Sequence, residues 1–167
     1  PLNKDELISE FAKGDLEGYV INGDDLIDIM KQKDCEINID NSVIRGGLDF
    51  SGLSARKSIA ITDSEIGFNQ ADTFSVKTKH TRFQRISFNR SVFIGQADFS
   101  HTAFLGSVAN FSDVTFGNVA DFSNTRFDNT ANFSRAKFKS IALFFGAVFN
   151  HEAFFSQGEF HEQGFFA

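Results

Sequence analysis

Two His-Glu pairs, at residues 151–152 and 161–162, have side chains that could hold a metal ion. Imidazole nitrogens and carboxylate oxygens are both common ligands of zinc. The first histidine is two residues after Phe149, whereas the second is one residue after Phe160. Because these offsets differ, we expect the two histidines to lie on different sides of the fold. We therefore predict no metal site and no other cofactor.

Asp98 and Asp121 are the residues that could form a pair of catalytic acids. Each lies in an Ala-Asp-Phe-Ser segment, at residues 97–100 and 120–123. We expect them to stack ~5 Å apart on neighbouring turns of the chain. The role that we favour is structural, with each side chain capping backbone N–H groups in a turn. The chain has no Gly-rich phosphate loop, nucleophile elbow or HExxH motif, so we predict that it is not an enzyme.

A run of basic side chains with aromatic residues among them is a pattern that can bind nucleic acid. The aromatic residues here, Phe83 and Phe88, belong to the core pattern described below, so they are not available to stack on bases. We therefore expect this run to face solvent or an acidic partner rather than nucleic acid. The basic residues are Lys77, Lys79, His80, Arg82, Arg85 and Arg90.

The elements that position these side chains follow from a regular repeat of phenylalanine. From Phe88 onward the intervals alternate between 5 and 6 residues, apart from one interval of 7 before Phe111. This spacing fits neither a helix nor a continuous strand. It fits short strands joined by corners, with one ring pointing inward from each side. The predicted core stack consists of Phe88, Phe93, Phe99, Phe104, Phe111, Phe116, Phe122, Phe127, Phe133, Phe138, Phe144, Phe149, Phe155 and Phe160.

The number of sides in each coil follows from residues that recur at twice this interval. The residue before the core phenylalanine alternates between Asp and Asn, at positions 98, 110, 121 and 132. Residues 37–44, INIDNSVI, also match residues 59–66, IAITDSEI, with an offset of 22. A coil of half that length leaves no room for stacked phenylalanine rings. We therefore predict four sides and about 22 residues in each coil.

These segments resemble the unit of the pentapeptide-repeat family. That unit is a small residue, Asp or Asn, Leu or Phe, and two variable positions, as in Ala-Asn-Phe-Ser at 109–112 and 131–134. The resemblance covers residues 37–167 and implies an all-β solenoid, specifically a right-handed, four-sided β-helix. This chain differs in its extra residue on alternate sides and in its use of Phe where many members have Leu.

The first 36 residues differ from the rest in charge and in pattern. They carry ten acidic and four lysine side chains, so their net charge is −6 and residues 37–167 are neutral. Residues 3–13 and 24–33 have the spacing and end signals of two short helices. We expect these helices to cover one end of the solenoid, because terminal repeats need a polar outer surface.

The predicted domain organisation is an N-terminal helical cap over residues 1–36 and a β-helix over residues 37–167. Residues 67–82 break the repeat. We predict that they form a loop insertion projecting from one corner.

Four large apolar residues stand where the repeat predicts polar, outward-facing ones. They replace the Asp, Asn or Ser that flanks the core phenylalanine in earlier units. Such residues favour pairing with another chain, and we predict a two-fold dimer through them. The predicted dimer interface consists of Leu143, Phe145, Phe154 and Phe165.

Composition limits the remaining function classes. A single cysteine excludes a disulfide framework, and no apolar run approaches the ~18 residues of a membrane-spanning helix. With no signal peptide at the start of the sequence, we expect a cytoplasmic protein. We predict a non-catalytic scaffold for protein–protein interaction, with an unidentified partner. The alternative that the resemblance implies is a DNA mimic that binds or protects a type II topoisomerase (gyrase), which requires a strongly acidic rod.

Overall fold

Short strands separated by corners are what the phenylalanine spacing predicts, and the structure consists largely of them. The computed structural model describes residues 1–32, 36–51, 53, 58–68 and 74–167. The described strands form four sheets, in which every pairing is parallel, as in β10 with β14 and β16 with β20. The chain visits the four sheets in turn, so the prediction of a four-sided solenoid is confirmed.

Each sheet forms one face of the solenoid, and its strands come from successive coils. The first face contains β1 (Leu16–Glu17), β3 (Ile37–Asp40), β6 (Ser58–Thr62), β10 (Arg85–Ser87), β14 (Val108–Asn110), β18 (Thr130–Asn132) and β22 (Ala153–Phe154). The second face contains β2 (Val20–Asn22), β4 (Val43–Arg45), β7 (Glu65–Phe68), β11 (Val92–Phe93), β15 (Thr115–Phe116), β19 (Lys137–Phe138) and β23 (Glu159–Phe160).

The other two faces have fewer strands. The third face contains β5 (Leu48–Asp49), β8 (Phe74–Lys77), β12 (Gln96–Asp98), β16 (Ala120–Asp121), β20 (Ala142–Phe144) and β24 (Gly164–Phe166). The fourth face contains β9 (Arg82–Phe83), β13 (Ala103–Phe104), β17 (Arg126–Phe127) and β21 (Val148–Phe149). Because the chain visits the faces in the order one to four, the first and third faces lie on opposite sides.

The register between coils confirms the predicted period. Phe116 pairs with Phe138 on the second face, and Phe127 pairs with Phe149 on the fourth face. Both pairs are 22 residues apart in sequence. On the first face Ile86 pairs with Ala109, so the coil that contains the seven-residue interval has one extra residue.

Phenylalanine rings fill the interior in columns that run along the solenoid. On the third face the rings of Phe99, Phe122 and Phe144 stack with centroids 4.9 and 5.1 Å apart and with planes within 7° of parallel. This separation matches the spacing of hydrogen-bonded strands. Rings of adjacent columns meet edge to face, as Phe122 and Phe133 do at 5.1 Å. The strand spacing therefore sets the ring spacing.

Burial of the predicted core stack is complete through the central coils and decreases in the last one. Every ring from Phe88 to Phe144 in that stack is at most 3% exposed. Phe149 and Phe155 are partly buried, and Phe160 is 36% exposed. The difference follows from position, because these last rings have a stacking neighbour on one side only among the described residues.

The two predicted helices are present as α1 (Lys4–Lys13) and α2 (Gly23–Gln32). Asn3 begins α1 as a capping box, in which Asn3 Oδ1 accepts from the Glu6 amide at 3.0 Å and the Asn3 amide donates to the Glu6 carboxylate at 2.9 Å. The buried side chains of both helices, including Leu7 and Met30, join the same hydrophobic core as the coils.

The boundary predicted at residue 36 needs a correction. Strands β1 and β2 lie between the two helices and pair with β3 and β4. Leu16 and Ile21 on these strands are buried. The sheets of the first and second faces therefore begin at Leu16 and Val20, inside the segment that was predicted to be only a cap.

The loop predicted over residues 67–82 is also corrected. Phe74–Lys77 is strand β8, which pairs with β5 and β12 on the third face. Residues 69–73, which belong to the same predicted loop, lie outside the described residues. At the inward position that follows β8, the buried Thr78 takes the place of a phenylalanine, and its hydroxyl lies 2.7 Å from that of Thr102.

No helix among the described residues has the length and apolar character needed to cross a membrane.

We expect Phe122→Ala to lower the free energy of unfolding by about 3–5 kcal/mol, because it opens a cavity in the middle of a ring column. Urea unfolding followed by circular dichroism measures this loss. Ile94→Ala is the matched control, since Ile94 is apolar but 42% exposed, and it should cost far less. Equal losses in the two variants would show that the ring columns do not carry the stability of the fold.

Candidate interaction surfaces

Two of the four corners have a residue with left-handed backbone in successive coils. At the corner from the third to the fourth face these are His80, His101, Asn124 and Gly146, with φ between 54° and 62°. This conformation favours Gly, Asn and Asp. At the corner from the first to the second face the residues are Gly18, Asn41, Asp63, Arg90, Asp113, Arg135 and Gln157, with φ between 45° and 75°.

The Asp and Asn residues that precede the core phenylalanines cap these corners. Asp98 Oδ1 accepts hydrogen bonds from the amide of Ser100 at 3.0 Å and from its hydroxyl at 2.6 Å. Asp121 Oδ1 accepts from the Ser123 amide at 2.8 Å. The predicted turn-capping role of these aspartates is therefore confirmed.

The Asp and Asn residues that alternate before the core phenylalanines lie on two opposite faces of the solenoid. Asp98 and Asp121 are paired neighbours on the third face. Asn110 and Asn132 are paired neighbours on the first face. Each Asn accepts a hydrogen bond from the serine amide two residues later, at 3.1 and 3.0 Å respectively.

Opposite charges alternate along the corner between the first and second faces. Arg135 donates to Asp113 through two parallel hydrogen bonds, at 2.6 and 2.7 Å. Arg90 makes the same bidentate contact with Asp63. Hydrogen bonding from the guanidinium lowers the pKa of each aspartate below its ordinary value. The acids on this corner are therefore neutralised by neighbours on adjacent coils.

An open depression of about 450 Å³ lies beside this corner. The charged side chains that line it form ion pairs, because the Lys137 ammonium lies 3.4 Å from the Glu159 carboxylate and Arg135 contacts Asp113. His161 Nε2 lies 3.4 Å from the Glu159 carboxylate. Such a shallow and charge-compensated surface lacks the apolar enclosure of a small-molecule site. The lining residues are Asp113, Arg135, Lys137, Gln157 and Glu159.

The two His-Glu pairs lie apart, as predicted. His151 is between β21 and β22, at the corner from the fourth to the first face. His161 is between β23 and β24, at the corner from the second to the third face. These corners are diagonally opposite, so the pairs do not meet.

Three of the four residues predicted for a dimer interface come together, and one does not. Leu143 and Phe165 are paired neighbours on the third face. Phe145, which is 43% exposed, stacks on Phe165 with ring centroids 5.6 Å apart. We call Leu143, Phe145 and Phe165 the third-face patch. Phe154 lies on β22, beside Asn132 on the opposite face, and is 48% exposed. A single interface on one side of the solenoid therefore cannot contain all four.

The basic run at residues 77–90 is spread around the coil. Lys77 lies on the third face with its ammonium 3.7 Å from the Phe74 ring centre. Arg82 begins β9 on the fourth face, and Arg85 begins β10 on the first face. The aromatic residues of the run, Phe83 and Phe88, are 2% and 0% exposed, which confirms that they cannot stack on bases.

One contact, between two histidines, was not predicted from the sequence, although the two residues recur after about one coil. The imidazole rings of His80 and His101 lie side by side, with centroids 5.3 Å apart. The two residues are one coil apart, at a sequence separation of 21. A histidine that recurs after about one coil therefore marks two equivalent corners.

The geometry defines a four-sided parallel β-solenoid whose core is built from stacked phenylalanine rings. Residues 79–126 match the family model for pentapeptide repeats (9 copies). The predicted resemblance to that family is thereby confirmed for this segment. Neither the search of curated proteins nor the search of solved structures found a match to this chain.

We expect the Asp113 carboxyl to titrate below its ordinary pKa, because Arg135 donates to its charged form. The stabilisation from this pair is present above the ordinary aspartate range and is lost as pH falls through the lowered value. Carboxyl carbon shifts in an NMR pH titration measure this pKa directly.

Arg135→Gln should raise the Asp113 pKa towards its ordinary value without disturbing the corner, because Gln157 has the equivalent backbone conformation. The matched control is Arg126→Gln, since Arg126 pairs with Asp128 instead. An Asp113 pKa that responds equally to both changes would contradict a specific pair.

Proposed function

We propose that this protein is a non-catalytic scaffold that binds proteins through the sides of its solenoid, and that one such side pairs two copies of the chain. The observation that carries the proposal is the third-face patch. It places three large apolar side chains in rows that otherwise carry Asp, Lys and Ser.

A packed interior supports a scaffold rather than a small-molecule enzyme. Phe111, Phe122 and Phe133 are fully buried and in edge-to-face or stacked contact with one another. A tube filled in this way leaves its outer surface for recognition, as in other solenoids. The family typically supplies such repeat scaffolds, in agreement with this proposal.

The occupant that we propose for the third-face patch is a second copy of the chain. The outward row of this face changes from the carboxylates of Asp98 and Asp121 to the apolar side chains of Leu143 and Phe165. A two-fold axis through the patch brings the aromatic side chains of one copy against those of the other. Buried aromatic residues contribute much of the binding free energy in protein interfaces. The patch lies on the side of the solenoid. Neighbouring coils stack along the axis and therefore do not cover it.

The DNA-mimic alternative receives less support from the outer surface. A mimic of a duplex needs uncompensated acidic charge along its length. Here Asp63, Asp113 and Asp128 each make a bidentate contact with an arginine. These arginines neutralise three carboxylates that a duplex-binding partner would otherwise recognise, and residues 37–167 carry no net charge.

We expect the unmodified chain to form a dimer and the double variant Phe145→Asp, Phe165→Asp to be a monomer. Two carboxylates in the contact would have to lose their hydration without gaining partners. Gel filtration coupled to light scattering measures the mass, at protein concentrations of tens of micromolar.

Phe154→Asp is the matched control, because Phe154 is equally large and exposed but lies on the first face. It should leave the dimer intact. A monomeric parent chain would refute pairing, whereas a dimer that survives the double variant would refute this choice of surface.

A further inference from the structure

His80 and His101 occupy equivalent corner positions on neighbouring coils. Both have left-handed backbone, with φ of 58° and 54°. Their imidazole rings are 5.3 Å apart between centroids, and the angle between the ring planes is 33°. The next residues in this column are Asn124 and Gly146, so the histidine pair is confined to two coils.

Both imidazoles are accessible, and their ring nitrogens are available to bind a ligand. The two residues are exposed. Within the described part of the chain, neither imidazole makes a hydrogen bond or an ion pair. Lys79 directly precedes His80, while Asp98 stands three residues before His101. These neighbours have opposite charges, so the immediate surroundings do not exclude a cation.

The separation of the rings is the one that a shared metal ion requires. A zinc ion lies about 2.0–2.1 Å from an imidazole nitrogen, which places it about 3.2 Å from the ring centre. Two imidazoles at a tetrahedral angle around one ion then have centres about 5.2 Å apart. The observed separation of the His80 and His101 rings is 5.3 Å.

The backbone holds the two corners at a fixed distance. The amide of Ala103 donates to the Thr81 carbonyl at 3.0 Å, and the Thr102 hydroxyl donates to the Thr78 carbonyl at 2.8 Å. Thr81 and Thr102, which follow the two histidines, are buried. The backbone of the two corners therefore does not have to move when an ion binds, which lowers the entropic cost of binding.

We propose that His80 and His101 form a two-histidine site for a divalent transition-metal ion of the zinc type. Imidazole suits zinc, copper and nickel, whereas calcium and magnesium prefer oxygen ligands. No group of three or more potential ligands that could hold a metal occurs among the described residues. Water molecules therefore complete the coordination, and the ion links two neighbouring coils at their outer edge.

Isothermal titration of the tag-free chain with zinc chloride tests this site. We expect saturable binding of one zinc ion for each chain. His80→Asn and His101→Asn should each weaken it by about tenfold or more, because each removes one of two protein ligands. Asparagine is the conservative choice, since Asn124 has the equivalent conformation on the next coil. His151→Asn is the matched control and should leave binding unchanged.

A second measurement does not depend on the folding of any variant. In NMR spectra of the unmodified chain, zinc should shift the imidazole signals of His80 and His101 together and leave those of His151 and His161 in place. Absence of saturable zinc binding would overturn the proposal. Binding that shifts His151 or His161 instead, or that persists in His101→Asn, would also overturn it.

Discussion

The stacking of like rings on successive coils is the constraint on which the rest of the structure depends. Parallel strands fix the axial distance between coils, and the flat rings of Phe116, Phe138 and Phe160 fill that distance, with centroids 4.9 and 4.7 Å apart. Phenylalanine suits this role because it has no polar atom that would need a partner in the core. Buried alanines such as Ala120 and Ala142 lie two residues before the rings and leave room for them. Once the columns are filled, each corner recurs at an equivalent position on successive coils.

Charged and amide side chains act at the corners rather than in the interior. Asp98 and Asn110 satisfy backbone amides that the short strands leave free, and arginines on adjacent coils pair with the aspartates at the corner between the first and second faces. Buried hydroxyl groups also have hydrogen-bond partners, since the hydroxyl of Thr125 donates to the carbonyl of Phe99 at 2.7 Å. Several outward charges are thus paired within the solenoid. An apolar patch on one face and a pair of imidazoles at one corner are the features that carry the functional proposals.

Sequence reasoning predicted the coil, the ring columns and the capping aspartates because each depends on a period that is visible in the residues themselves. It failed where the period was hidden. Strand β1 has only two residues, too few to show a pattern. Strand β8 was missed because Thr78 replaces the expected phenylalanine and the register shifts between Gln96 and Ala97. Positions eleven residues apart have similar sequence patterns but lie on opposite faces, so Phe154 was grouped with Phe165. The histidine pair was missed because histidine recurs only once at this position, which is too few repeats to show a pattern.

The parallel stacking of coils also determines how the molecule responds to mechanical force. Strands run across the solenoid axis, and each coil is hydrogen-bonded to the next, as Phe122 is to Leu143 and Phe133 to Phe154. Tension applied at one end of the chain acts on the hydrogen bonds of the outermost coil first. That coil therefore detaches before its neighbour is disturbed. Each event releases about 22 residues, or a contour length of about 75 Å. Under load the solenoid therefore yields coil by coil and retains its folded remainder.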